Sequence, residues 1–513
     1  MNDLSNALPT GGPVKCAQKR GIEGESMGKY RLLLVLTLGF CLLLVDGFLW
    51  HGPCAGLTAA VFAWYALILA WMGPKAFASR SSRVLLAAIL FLAATMALGS
   101  DPYFRCWDLL ALLVLIPVHA MAGLASRPWW DPRMLGERFR LLFRGLFGDL
   151  WACFAAAVPD RRDGGRPRRT LAVVLGLCGA AALVSILLPV LISADALFAA
   201  SLEALDWSFW MLHLRGGARR LFWALVLTPF VFSLLYAMAS PKLLCPSKGK
   251  AGLRVDALGF VLVLAAVDGL YLAFLAVQSA GLFGGPEYLE ARGLSYAEWA
   301  RSGFFQMVGV TVVDLSLMLA ALCLSRREGR EWGILRALCA LLAGESLALL
   351  ASAAWRMTLY IGAYGLSFKR LMTYWGMAMM ALFLLAGLWK AKDPDFRFCR
   401  RAFPAALAGW LVINCVPLDY LVAKDQVDRY LNGESPVVSV QYLLYSLSYD
   451  TIPQLERLDG ERPVCDYTGD PVWRQGETLA EVLRGRRLDA QWECRDRWSW
   501  NLSACLAAGG YQP

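Results

Sequence analysis

The chain has 513 residues, of which 58% are hydrophobic and only 18% charged, with 20 tryptophans. That balance excludes an ordinary water-soluble domain, whose surface needs more charge than this chain supplies. The net charge of +10 would suit nucleic acid, but the basic residues fall between apolar blocks of bilayer length. Anionic headgroups of a lipid bilayer are therefore the expected partners, and nucleic acid is not.

The polar residues 1–30 read as a disordered leader, with Met27 as an alternative start. The first apolar run follows some thirty residues in and has no small-residue cleavage pattern, so it reads as an uncleaved anchor. Apolar runs then succeed one another at 32–50, 56–73, 84–99, 108–125, 171–192 and 221–239. Five more follow at 255–278, 303–325, 334–355, 371–389 and 402–418, giving about eleven. Within hydrocarbon each backbone N–H and C=O needs an internal partner, and these runs lack the alternation of barrel strands. The expected fold class is thus all-α, a polytopic transmembrane bundle over residues 31–418 with a small, mostly helical C-terminal cap over 419–513.

Lys and Arg accumulate on the cytoplasmic side of short loops. With the N-terminus inside, cytoplasmic segments and span edges hold 31 of the 50 Lys and Arg, and outer loops hold nine. The bundle reads as a cytoplasmic-membrane protein, and an odd number of spans places the C-terminus outside. Ten arginines lie between Arg127 and Arg169, and within 128–169 they interleave with Leu141, Phe143, Phe147 and Trp151. That pattern suits a basic segment in the inner interface, with a re-entrant or additional span as the competing reading. Beyond residue 418, fifteen acids balance ten bases, and stretches such as 437–458 and 477–487 look helical.

Fourteen cysteines include Cys41, Cys178, Cys323, Cys339 and Cys415 within spans, where a thiol behaves as a small hydrophobe. Cys465, Cys494 and Cys505 share the tail, so two of them can pair in an oxidising compartment. No zinc-type Cys/His spacing, GxSxG elbow, HExxH, P-loop or dinucleotide fingerprint occurs. No catalytic residue, metal site or cofactor is expected. The short first outer loop, 51–55, also argues against a polytopic glycosyltransferase with acids in that loop.

Two polar groupings remain. Asp268, Asp314 and Glu345 sit at mid-depth on three consecutive spans, where a carboxylate is costly unless it faces protein or water. They read either as interhelical glue or as a shared proton or cation site, with glue preferred. At the outer face the topology gathers Asp195, Gln278, Tyr296, Glu298 and Arg301 with Arg356, Tyr360 and Tyr364, near Asp419 and the tail. A capped pocket for a small polar or headgroup ligand, or for a protein partner, is the sharper reading of this cluster. Helix capping and tail docking is the plainer reading, and the preferred one.

Several strings carry a resemblance: Val45-Asp46-Gly47-Phe48-Leu49-Trp50 leading to Gly56-Leu57, residues 192–198 around Asp195, and Phe274 to Gln278. Residues 294–305 around Tyr296, Glu298 and Arg301, residues 356–367 from Arg356 through Tyr360 and Tyr364, and Trp498-Ser499-Trp500-Asn501 complete them. Over most of its length the chain resembles a bacterial polytopic membrane family of unknown function, number 4173, and its relative 4153. Those relatives often carry an acid at Gly362 and Asn at Asp268 and Asp314. The resemblance therefore implies architecture and a site toward the outer face, and it carries no activity. The favoured function is a non-enzymatic, envelope-associated accessory or signalling protein. A secondary transporter using the intramembrane acids and a membrane enzyme acting on a lipid-linked substrate, through Asp195, Glu298 and Arg356, are the alternatives.

Overall fold

The computed structural model describes residues 26–123, 131, 134–157, 207–239, 255–283, 304–461 and 478–509. Among these the chain is helical, with an isolated β-bridge between Val255 and Ser325. Eight helices are long and apolar enough to cross a membrane, or nine if the bent pair Phe398–Asn414 and Leu418–Leu431 is one span. Every predicted run that falls on described residues is helical. The run at 171–192 lies outside them, and the run at 303–325 is helical with a shorter apolar stretch, Gly309–Leu324. Eleven is therefore an approximate count. The chain divides into two compact units.

The first unit holds α1 (Ser26–Leu44) and α2 (Ala55–Met72), then α5 (Met134–Gly148) from Arg138 onward, α6 (Leu150–Ala157) and α7 (Trp207–Ala239). A π-helical turn over Val45–Leu49 ends α1, and α2 folds back on it. Glycine is required where they meet, since a Cβ on Gly56 would lie 1.9 Å from the Gly47 carbonyl oxygen. This contact gives the Val-Asp-Gly string its structural reason. Asp46 pairs with Arg220 at 2.7 Å, and the Arg219 guanidinium lies 4.5 Å from the Trp50 ring centroid. The helical part of the basic segment packs on α7. Ser233 Oγ donates to the Gly145 carbonyl at 2.6 Å and accepts from the Asp149 amide at 3.1 Å.

The second unit holds α3 (Arg80–Leu98) from Val84 onward, α4 (Pro102–Ala120), α8 (Ala257–Phe283), α9 (Phe304–Leu324), α10 (Gly329–Tyr364), α11 (Phe368–Lys392) and α12 (Phe398–Asn414). α4 starts where the sequence says it should: Asp101 accepts from the Tyr103 amide at 2.7 Å and Pro102 occupies the first helical position. α10 stops at Gly365, whose φ of 73° is the left-handed region that a side chain would resist. α8, α9 and α10 pack around Leu264, Ala321, Leu335, Cys339, Leu342 and Ala343.

A 51° bend after α12 turns the chain into α13 (Leu418–Leu431). With Asp419, Lys424, Asp425, Asp428 and Arg429 among its fourteen residues, α13 is an arm of the cap rather than an apolar span. α14 (Val440–Tyr445), α15 (Ile452–Leu455), α16 (Leu479–Arg495) and α17 (Leu502–Ala507) complete the cap. Its core is dry, with Val422, Val427, Val440, Leu443, Leu455 and Leu479 buried together with Phe368 of α11. Thr478 and Glu481 form a reciprocal capping box that starts α16. Cys494 and Cys505 are disulfide-bonded, while Cys465 lies outside the described residues.

Candidate functional site

The cap is held to the bundle by two sets of polar contacts. At the turn between α10 and α11, Asp425 Oδ2 accepts from the Leu366 amide at 2.6 Å and Gln426 Nε2 donates to the Leu366 carbonyl at 2.9 Å. Arg429 Nη1 donates to the Gly362 carbonyl at 3.0 Å, so the open end of α10 is closed by side chains of α13. At the turn between α3 and α4, Ser100 Oγ donates to Ser503 Oγ at 2.9 Å, and Ser503 Oγ donates to Asp450 Oδ1 at 2.6 Å. The Tyr449 amide donates to Ser100 Oγ at 3.2 Å.

Between this second contact and the end of α12 lies a cavity of about 330 Å³. Three carboxylates line it: Asp101 before α4, Asp419 at the start of α13, and Asp450 of the cap. Phe91, Leu98, Phe104 and Val416 supply an apolar wall. Asp419 is 3% exposed; its Oδ2 accepts from the Ser448 amide at 2.8 Å, the Ser448 hydroxyl also acts on its carboxylate, and Oδ1 makes no further hydrogen bond among the described residues. An acceptor so placed is costly to keep dry and unpaired. Burial pushes the Asp101 carboxyl up from 3.8 to about 7. Repulsion from Asp419 and Asp450 adds to the rise, and the Tyr103 and Phe104 amides oppose it. Asp419 is likewise raised, chiefly by burial, with Ser448 opposing and Asp450 reinforcing. Asp101 and Asp419 therefore resist simultaneous ionisation.

Beneath this cavity Asp108 is a different kind of acid. It is 1% exposed and fully engaged: Trp410 Nε1 donates to Oδ1 at 2.6 Å, Asn414 Nδ2 to Oδ1 at 3.3 Å, and Thr95 Oγ1 to Oδ2 at 3.0 Å. Three donors from α3 and α12 make Asp108 a structural tie for α4. Thr95 and Asn414 also line the cavity, so this tie forms part of its floor.

Of the residues singled out in the sequence, Asp419 lines the cavity. Tyr360 and Tyr364 lie at the end of α10 with ring centroids 5.0 Å apart. The Arg370 guanidinium stands 4.3 Å from the Tyr360 centroid and donates to the Tyr364 carbonyl at 2.9 Å. Arg356 is buried one turn earlier on the same helix. None of these three lines the cavity. Gln278 lies near the end of α8, and Asp195, Tyr296, Glu298 and Arg301 lie outside the described residues. Asp101, Asp108, Ser448 and Asp450 were not anticipated. Only Asp101 left a local signal, the Asp-Pro of a helix start, which marks a cap and not a site.

Asp268, Asp314 and Glu345 are all buried, at 2%, 1% and 4% exposure. Tyr271 Oη of α8 donates to Asp314 Oδ1 and Ser346 Oγ of α10 to Oδ2, both at 2.8 Å. Neither oxygen of Asp268 or of Glu345 has a partner among the described residues. No group of three or more His, Cys, Asp or Glu among the described residues is arranged to hold a metal ion.

No curated protein and no solved structure matches the chain. A family does match, over residues 86–458, which run from within α3 through α15 of the cap. This helical membrane chain, more than half of which is covered by that match, belongs to the family described as domain of unknown function (DUF4153), the relative 4153 of the two numbers that its motifs suggested.

Proposed function

We propose that this multi-pass protein is a ligand-binding accessory or signalling component of the cell envelope. Its C-terminal cap and the α3–α4 turn enclose an acid-lined pocket for a ligand that carries amine or hydroxyl donors. The single observation that carries this reading is the buried Asp419 carboxylate, tied only to Ser448 among the described residues, in a cavity that also presents Asp101 and Asp450. An ammonium or hydroxyl group would satisfy that acceptor, and the apolar wall of Phe91, Leu98 and Phe104 would take an attached hydrocarbon.

The cap lies outside the cytoplasm in this reading. The excess of Lys and Arg in the alternate loops supports that side, and so does the Cys494–Cys505 disulfide, which persists in an oxidising compartment. Arg356, Tyr360 and Tyr364 on α10 supply further polar groups on the cap side of the second unit. The basic segment at 128–169 takes anionic headgroups as its partners in this reading.

The test uses the full-length protein in lipid nanodiscs, titrated with ethanolamine and with short-chain phosphatidylethanolamine while Trp fluorescence is followed. Saturable binding that weakens at least tenfold in Asp419→Asn is expected. Equal binding by wild type and Asp419→Asn, or none by either, would overturn the reading. A reporter fused after Leu458 tests the side, and activity in the cytoplasm would place the cap there instead.

A further inference from the structure

We propose that Asp268, Asp314 and Glu345 form an exchangeable proton site inside the membrane, separate from the pocket under the cap. In it Asp314 is the anion, and Asp268 and Glu345 are neutral acids that gain and lose protons.

Register brings the three to one depth. The Val255 amide donates to the Leu324 carbonyl at 2.9 Å and the Arg326 amide to the Val255 carbonyl at 3.1 Å, which ties the start of α8 to the end of α9. From that tie Asp268 and Asp314 lie roughly 15–20 Å along their helices at 1.5 Å per residue, about halfway through a hydrocarbon core of roughly 30 Å. On α10, Glu345 lies roughly the same distance beyond Ile334, where the apolar part of that helix begins. Each carboxylate pair is close enough to be felt electrostatically: Asp314 by Asp268, and both by Glu345.

Hydrogen bonding then separates their roles. Both oxygens of Asp314 accept from hydroxyls, the arrangement that solvates a carboxylate anion. The four oxygens of Asp268 and Glu345 are buried and accept from nothing among the described residues. Two further anions there would be unsolvated and would repel Asp314, so each is neutralised by a proton. Among the described residues no cation stands beside them in place of a proton. Tyr271 on α8, and Cys339 and Ser346 on α10, are the polar groups that meet the three acids. α11 meets α9 through Gly387, pressed against Met318 and Leu315. Its Lys390 is spent at the helix end, donating to the carbonyls of Pro394 at 2.6 Å and Phe396 at 2.8 Å. Transfer between the acids needs no co-reactant. An O–H bond breaks at Asp268 or Glu345 and forms at Asp314, and the negative charge moves the opposite way.

Protein in nanodiscs is treated with dicyclohexylcarbodiimide, which adds to protonated carboxyls in apolar surroundings, and adducts are located by peptide mass spectrometry. The expected result is an adduct at Asp268 or Glu345 that is strong at acidic pH and fades as pH rises, with none from a water-soluble carbodiimide. In Asp314→Asn the fading should move to lower pH, because removing the neighbouring anion eases loss of the proton; a packing role alone would leave the profile where it was. The wild-type profile is decisive even if variants fold poorly. No adduct at either residue, or an adduct whose yield is independent of pH, overturns the proposal.

Discussion

Replacing Asp101 by Asn isolates the charge of the cap pocket from its structure. The Asp101 carboxylate does two things: Oδ1 accepts from the Tyr103 and Phe104 amides at 2.7 and 3.3 Å, and its charge adds to those of Asp419 and Asp450. Asn keeps the first, since it caps helices as well as Asp does, and removes the second. The folded protein holds this carboxyl at about 7 and the unfolded chain near 3.8. Below the lower value both states bind the proton, and the stabilisation is fully present. Between the two values the unfolded chain releases it first, so stability falls as pH rises and is lost on passing about 7. At about 1.4 kcal/mol per pH unit the full penalty is of order 4 kcal/mol. Asp101 keeps some contact with solvent and shares its charge with Asp419, so about half of that, roughly 2 kcal/mol, is the working figure. Thermal unfolding of detergent-solubilised protein, followed by Trp fluorescence, is the assay. Asp101→Asn should match wild type near pH 4 and melt roughly 2–3 °C higher above neutral pH. An offset of the same size at every pH, or a lower melting point in alkali, would refute the electrostatic account.

Three other substitutions probe separate ties. Asp108→Ala strands the Trp410 and Asn414 donors and should cost about 2–3 kcal/mol in the same melting experiment, at all pH values above the acid range. Gly56→Ala drives a methyl group into the Gly47 carbonyl, so the α1–α2 hairpin must separate. A loss of at least about 2 kcal/mol, seen as reduced membrane yield and earlier melting, is expected, and a wild-type melting curve would show that the close contact is dispensable. Reducing the Cys494–Cys505 bond, whose partners are eleven residues apart, should destabilise the cap by about 2–3 kcal/mol. Limited proteolysis with and without reductant measures this as faster cleavage within 478–509, and unchanged cleavage would count against it.

Much of the architecture is legible in the sequence because membrane helices are specified locally. Each apolar run satisfies its own backbone, so ten of the eleven predicted runs can be compared with described residues, and all ten are helical. Termini are local too: Asp101-Pro102, Thr478 with Glu481, and Gly365 announce their roles within a few residues. The pocket is not local. Asp101 is separated by more than three hundred positions from Asp419 and Asp450 and shares a cavity with them only because α13 folds back over the bundle and the cap meets the α3–α4 turn through Ser100 and Ser503.

The intramembrane acids divide along the same line. Hydropathy and the helical period placed Asp268, Asp314 and Glu345 at mid-depth on neighbouring helices, since depth follows from counting residues along a run. Which acid is solvated by hydroxyls and which are left bare depends on how three helices rotate against one another, and rotation is set by packing at Leu264, Leu335, Cys339 and Ala343. Composition and periodicity by themselves determined that this chain is a helical membrane protein. Tertiary structure alone decided that Asp314 has partners, that Asp268 and Glu345 have none among the described residues, and that the buried Asp419 carboxylate lines a cavity, because hydrogen bonds between distant segments exist only once those segments have packed.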